Sequence, residues 1–63
     1  MKVLKLAEVI QRTGLSKSTI YSKIQKGIFP KQIKLGDRAV GWLESEIISW
    51  IEARVKARSQ NDK

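Results

Sequence analysis

The segment from Gly14 to Gly27, GLSKSTIYSKIQKG, carries cations and hydroxyl groups at positions that a helix would turn outward. Its aliphatic residues Ile20 and Ile24 share one helix face, and we predict that this face points to the core. Lysines, short hydroxyl groups and an amphipathic ring on the other faces suit the phosphate oxygens and base edges of a DNA major groove. The residues of this helix that we predict to bind DNA are Ser16, Lys17, Ser18, Thr19, Tyr21, Ser22 and Lys23.

A second group of cations follows on a predicted β-hairpin, namely Lys31, Lys34 and Arg38. We predict that these side chains also bind DNA. Arg38 lies at the hairpin turn and can enter a minor groove, where narrow A·T tracts concentrate negative potential. The alternative is that Arg38 pairs with Asp37 or Glu44, or is simply solvated.

The two tryptophans can stack on bases, but their positions favour the core. Trp42 falls in the alternating pattern of the hairpin, and Trp50 lies on the inner stripe of the last predicted helix. Ile48 lies off the stripe of Ile47 and Ile51. We expect it to widen the buried face, the alternative being an exposed apolar contact for another protein.

Several kinds of chemistry are disfavoured by composition. The chain has no cysteine and no histidine, so it lacks thiolate and imidazole metal ligands and the commonest general base. Its six carboxylates are scattered, and no nucleophile–base pair can be assembled from them. We therefore predict a protein that is not an enzyme and has no catalytic residues, no metal site and no cofactor.

Charge is the most informative property of the composition. The 63 residues carry 13 Lys and Arg against six Asp and Glu, which gives a formal net charge of +7. A field of that sign attracts polyanions, so nucleic acid is the expected partner. No apolar run approaches a membrane span and no signal-peptide pattern opens the chain, so we expect a soluble, cytoplasmic and nucleoid-associated protein that binds no membrane.

Two short helices are predicted in the first half of the chain. Apolar residues at 6, 9 and 10 predict a helix over LAEVIQRT, which Gly14 ends. Ser16 is a good N-cap for the second helix, of about residues 16–26, and Leu15 and Ile20 have the spacing of a hydrophobic staple. Gly27 ends this helix and Pro30 prevents its return. The pair is typical of a helix-turn-helix, although a structural αα-hairpin without a ligand has similar spacing.

The remaining residues predict a wing and a third helix. Period-two alternation around Gly36-Asp37-Arg38 predicts strands at about 31–35 and 39–43. The third helix covers about 44–58, with Ile47, Trp50, Ile51 and Val55 as its apolar stripe. We expect residues 1–58 to form one winged helix-turn-helix domain, small and mainly α with a two-stranded antiparallel hairpin. Residues 59–63 are expected to be a flexible C-terminal tail.

The run TGLSKSTIYSKIQKGIFPKQIKLGDRAVGWLESEIISWIEAR closely resembles the AlpA family of small phage- and prophage-type DNA-binding regulators. The resemblance covers about residues 5 to 55, and the family is similar to the excisionases and to the winged-helix head of MerR-type regulators. It implies that Lys17, Ser18, Thr19, Tyr21 and Lys23 lie on a recognition helix and Arg38 on a wing. MerR-like heads usually carry an arginine where this chain has Tyr21. The chain shows neither the long dimerisation helix nor the effector domain of MerR-type proteins, so we expect no ligand sensing and no strong intrinsic dimer.

The resemblance implies a regulator of phage, prophage or integrative-element genes that binds double-stranded DNA. Weak self-association at repeated half-sites and contact with an integrase or RNA polymerase are further expectations. Two alternatives use the same domain differently. One is an excisionase, or recombination directionality factor, that bends an attachment site. The other is a protein-interaction adaptor, such as the DNA-recognition end of a phage packaging subunit.

Overall fold

A computed structural model of the protein describes residues 1–61, with three helices and three short strands within that range. The small, mainly α fold with a β-hairpin wing is confirmed. Its elements, in chain order, are β1 (Val3–Leu4), α1 (Leu6–Thr13), α2 (Lys17–Gln25), β2 (Ile33–Lys34), β3 (Val40–Leu43) and α3 (Glu44–Asn61).

The connection between α1 and α2 is a tight turn fixed by local hydrogen bonds. Gly14 takes a left-handed conformation with φ 74°, and its N–H donates to the Ile10 carbonyl at 2.8 Å. The Thr13 hydroxyl donates to the Val9 carbonyl at 2.8 Å and accepts the Leu15 N–H at 3.2 Å. The predicted end of α1 at Gly14 is therefore confirmed, and this turn sets the direction in which α2 leaves.

The second helix begins and ends at the predicted signals. The Ser16 side chain accepts the Thr19 N–H at 3.2 Å, which is the expected N-cap. Lys26 is the C-cap and Gly27 takes φ 78°. The N–H of Gly27 donates to Ile24 and that of Ile28 to Lys23, both at 3.0 Å, which is the Schellman arrangement.

The strands form one antiparallel sheet in the order β1-β3-β2. The hairpin pairs Ile33 with Gly41 and Lys34 with Val40, so both of its strands are shorter than predicted. The pairing of β1 with β3 sets Leu4 opposite Trp42. β1 was not predicted, since the first element expected from the sequence is the helix that begins at Leu6.

In the described part of the chain, helices and sheet enclose six buried apolar side chains. The core is Leu4, Val9, Ile20, Phe29, Trp42 and Ile47. Burial of Trp42 confirms its predicted place, and its indole N–H donates to the Pro30 carbonyl at 3.0 Å. Phe29, only 5% exposed, was not singled out from the sequence.

The third helix departs from prediction on its outer side. Ile47 is buried, and Trp50 and Ile51 are half-buried at the edge of the core. The expectation that Ile48 and Val55 join the buried face is wrong, since they are 41% and 48% exposed. The helix backbone continues to Asn61, past the predicted end at 58. Residues 62–63 of the expected tail lie outside the described residues, and its flexibility stays a prediction.

None of the helices within residues 1–61 has the length and apolar character needed to cross a bilayer.

Candidate nucleic-acid interface

Most of the net positive charge lies in the part of the chain that contains α2 and the first half of the wing. Residues 9–36 contain no Asp or Glu. The cations of the same stretch are Arg12, Lys17, Lys23, Lys26, Lys31 and Lys34. Three of the acidic residues, Glu44, Glu46 and Glu52, lie instead on α3. The net charge of +7 is therefore distributed unevenly, and the surface of α2 has no acidic residue of its own.

The orientation of α2 agrees with the predicted one. Ile20 is fully buried and Ile24 packs against the core from a half-buried position. Lys17, Ser18 and Ser22 are exposed. The polar side of the helix is thus available to a ligand, which is the arrangement that the spacing of the two isoleucines predicted.

A shallow concavity runs along this polar side. It is lined by Ser18, Thr19, Ser22, Lys23 and Lys26. Lys26 was not among the predicted site residues. It lies four positions after Ser22 and three after Lys23, so helical spacing alone could have placed it on this face.

The wing presents cations at its tip, on its first strand and just before that strand. Lys31, Lys34 and Arg38 are all exposed, and the turn is closed by the Leu35 N–H donating to the Ala39 carbonyl at 2.7 Å. Glu44, a candidate partner for Arg38, pairs with Arg12 at 3.1 Å. Within residues 1–61 Arg38 forms no ion pair. Its guanidinium group is free to reach a ligand.

The family model described as "Prophage CP4-57 regulatory protein (AlpA)" matches residues 2–55 of this chain. That range holds both helices of the helix-turn-helix, the wing and most of α3. The chain belongs to the AlpA family. The resemblance found in the sequence is thereby confirmed.

Two relatives of this AlpA-family chain illustrate the range of similarity. "Uncharacterized protein ORF88" of Enterobacteria phage P4 is 44% identical over 59 residues, covering 94% of this chain and 67% of that protein. "DNA-binding transcriptional activator AlpA" of Escherichia coli K12 is 39% identical over 62 residues, covering 89% of each chain. The second similarity extends over nearly the whole length of both proteins.

Hydroxyl groups at the start of α2 in this AlpA-family chain are partly engaged with one another. Ser16 Oγ donates to Thr19 Oγ1 at 2.9 Å while it accepts the Thr19 N–H. Ser18 Oγ lies 3.4 Å from Ser16 Oγ. Ser16 and Thr19 therefore help to hold the start of α2 in addition to any contact with DNA. The side-chain hydroxyl group of the exposed Ser22, by contrast, has no hydrogen-bond partner among the described residues.

Tyr21 is placed differently from exposed polar residues of α2 such as Lys17, Ser18 and Ser22. It is half-buried and packs against the core. Its ring meets Trp42 edge-on, with the ring centroids 6.4 Å apart. The side chain thus joins α2 to β3, which sequence spacing did not reveal. Its contact with DNA stays a prediction.

Proposed function

We propose that this AlpA-family chain is a sequence-specific, double-stranded-DNA-binding transcriptional regulator of phage, prophage or integrative-element genes. The observation that carries the proposal is the two-sidedness of α2. Ile20 is sealed into the core, while the opposite side is cationic, hydroxyl-bearing and free of acidic residues. A relative of 39% identity carries the name "DNA-binding transcriptional activator AlpA", which supports the same conclusion.

In this proposal α2 enters the major groove, which is wide enough to admit a helix. The exposed hydroxyl groups of Ser18 and Ser22 meet base edges, where short donors and acceptors can read sequence. Lys17 at the start of the helix, and Lys23 and Lys26 towards its end, contact phosphates on either side of the groove. The positive end of the helix dipole adds attraction for a phosphate at the start of α2.

The wing contacts the same duplex beside α2. Arg38 at the tip lies on the adjacent backbone or in the minor groove, and Lys31 and Lys34 contact phosphates. Trp42 lies in β3, the second strand of the wing, and its ring contacts Tyr21 of α2. The DNA contact of the wing and that of α2 therefore keep a fixed position relative to each other. Such a pair of contacts selects a register on the duplex, which supports sequence reading by α2.

The small size of the domain bears on how it recognises a site. A single module of this kind buries about 600–1,000 Å² of protein surface on DNA, which supports modest affinity. We therefore propose that copies bind at repeated half-sites with weak mutual assistance. Contact of the bound protein with an integrase or RNA polymerase completes the proposed regulatory role.

Binding to a duplex pool with a randomised centre, followed by titration of the enriched duplex at several salt concentrations, tests the function. About six phosphate contacts give a slope near −5 in a plot of log K against log salt concentration. Lys23→Ala should weaken enriched and scrambled duplexes alike and reduce the slope by about one. Lys2→Ala, an exposed lysine outside α2 and the wing, is the matched control. A wild-type slope near zero, or no enrichment over the starting pool, contradicts the proposal.

The same enriched duplex separates regulation from bending of an attachment site. When the site is moved along fragments of constant length, a bend makes gel mobility depend on its position. Uniform mobility is expected for the regulator proposed here. Strong position dependence would favour the excisionase activity instead.

A further inference from the structure

A second cationic feature lies where the end of α1 meets the outer half of α3. Three arginines line one concavity of about 310 Å³, and its apolar lining includes Trp50, Ile51 and Val55. The arginines are Arg12, Arg54 and Arg58. None of them is among the residues predicted from the sequence to bind DNA. We call this feature the arginine concavity.

The guanidinium group of Arg54 lies on a fixed aromatic ring. Its central carbon is 5.8 Å from the centroid of the Trp50 ring. That ring is anchored by its indole N–H, which donates to the Ile28 carbonyl at 2.8 Å, and by an edge contact with Phe29 at 4.9 Å between centroids. A cation over such a platform loses little freedom when it binds an anion, so its position favours recognition.

The three arginines are close together and incompletely neutralised by the described part of the chain. Arg54 and Arg58 are one helical turn apart, a spacing at which like charges repel. Within residues 1–61 the one ion pair at this concavity joins Arg12 Nη2 to Glu44 Oε2 at 3.1 Å. A guanidinium group has five N–H donors in a planar fork, so Arg12 keeps donors for a further anion. A phosphate in the concavity would relieve the repulsion and match the forked donors.

We propose that the arginine concavity binds the sugar–phosphate backbone of the duplex that α2 reads, outside the groove that α2 occupies. The inference rests on the proposed function. Arg12 and Thr13 directly precede the turn to α2, so the concavity adjoins the start of the recognition helix. The molecule extends 47 Å along its longest axis, against 25 Å and 19 Å across. One turn of B-DNA is about 34 Å, so a body of this length can reach past the contacted groove.

An acidic protein segment is the other ligand that three arginines suit. The position beside the start of α2 favours the duplex, because a phosphate bound there belongs to the molecule that α2 already holds. The contact adds affinity without adding sequence information, since phosphates are the same at every base pair.

The test compares Arg54→Gln/Arg58→Gln with Lys2→Gln/Lys56→Gln, which removes the same charge from exposed positions outside the concavity. Each phosphate contact contributes about 0.9 to the salt slope, so the arginine variant should lose about two units of slope and the lysine variant much less. Arg54→Lys/Arg58→Lys keeps the charges but not the forks, and should retain most of the slope with weaker binding. Circular dichroism and the melting temperature of each variant show that folding is intact.

The dependence of the affinity on duplex length provides a second readout. Removing charge elsewhere on the protein should not alter this dependence. The wild type should bind a duplex extended by half a helical turn on each side more tightly than one trimmed to the enriched site. The arginine variant should bind the two equally, and the lysine control should behave as wild type. Equal slope and equal length dependence in all variants would overturn the inference.

The inference is also overturned if the arginine concavity binds an acidic protein segment in place of DNA. If the arginine variant binds DNA normally but loses binding to a poly-glutamate peptide, the concavity serves an acidic protein segment. A wild type that shows no salt-dependent DNA binding would refute the proposed function itself, together with this inference. A wild type that binds with the full slope, while the arginine variant is unchanged, refutes the inference alone.

Discussion

At the scale of single residues, Tyr21 has the most distinctive position on α2. Helical spacing places it about 100° from Ile20, between the buried side and the exposed side. The ring of Tyr21 therefore packs against the core, while part of the side chain remains exposed to solvent. Its edge contact with Trp42 gives α2 a fixed angle to the strand that carries the wing. We infer that the ring orients the helix and that the hydroxyl group is the part left for DNA.

Replacing Tyr21 separates these two roles. Tyr21→Phe keeps the ring and removes the hydroxyl group, so it should leave the free energy of unfolding nearly unchanged. Tyr21→Ala removes the ring contact and should lose about 2–4 kcal/mol of stability, because a partly buried aromatic ring leaves a gap beside Trp42. Urea unfolding of the free protein measures both changes.

DNA titration of the same two variants completes the comparison. A specific hydroxyl contact should make Tyr21→Phe bind the enriched duplex less tightly while scrambled duplexes are bound as before. If both duplexes are bound as tightly as by wild type, the tyrosine acts through the ring alone. Equal stability of Tyr21→Ala and wild type would contradict the orienting role.

Residue-level prediction succeeded where the signal was local and weakened where it was not. The inward direction of Ile20 and Ile24 follows from spacing within one helix, and it is confirmed. The contacts of Tyr21 and Trp50 depend on residues more than 20 positions away, which spacing within a helix cannot reveal. For the same reason, the arginine concavity joins residues 12 and 54–58 and has no signature in the sequence.

At the scale of elements, the helix ends were predictable and the first strand was not. Gly14, Ser16 and Gly27 determine the conformation of the backbone beside them. The helix ends that they predict from the sequence are therefore also found in the fold. β1 has two residues, too few for a period to appear, and its partner β3 lies about forty residues later. The residue that reflects the presence of β1 is Gly41, because β1 leaves no room for a side chain at position 41.

Gly41 has to be glycine because β1 lies close against it. A Cβ atom at this position would lie 2.5 Å from Val3 Cγ1 and 3.0 Å from the Leu4 carbonyl oxygen. Gly41→Ala should therefore force β1 away from β3 and destabilise the protein by about 1–3 kcal/mol, the usual range for overpacking. Thermal unfolding followed by circular dichroism measures the loss.

The wing supplies the control for that substitution. At Gly36 the nearest atom to an added Cβ is Ala39 Cβ at 4.0 Å, which is ordinary contact, and its φ is not positive. Gly36→Ala should leave the melting temperature close to that of wild type. Equal effects of the two substitutions would mean that β1 does not pack on β3 as described.

At the scale of the whole molecule, the net positive charge has opposite effects on the stability of the free protein and on the proposed binding of DNA. A net charge of +7 on 63 residues makes the folded chain repel itself, and salt screens that repulsion. The same charge gives the proposed attraction for DNA, which salt weakens. Composition was enough to predict attraction to a polyanion. The uneven distribution of the charge was also readable from the sequence, because three of the six acidic residues lie on the helix predicted at 44–58 and none lies on α2.

Melting curves with and without DNA should therefore converge as salt is added. Between about 50 and 200 mM NaCl, a slope of −5 lowers the affinity for the duplex about 10³-fold, and the stabilisation by bound DNA decreases with it. The melting temperature of the free protein should rise over the same range, because screening relieves the repulsion among its lysines and arginines. A free protein whose melting temperature falls with salt would show that attractive pairs such as Arg12–Glu44 outweigh the repulsion. A constant gap between the two curves would contradict the phosphate contacts of both α2 and the wing.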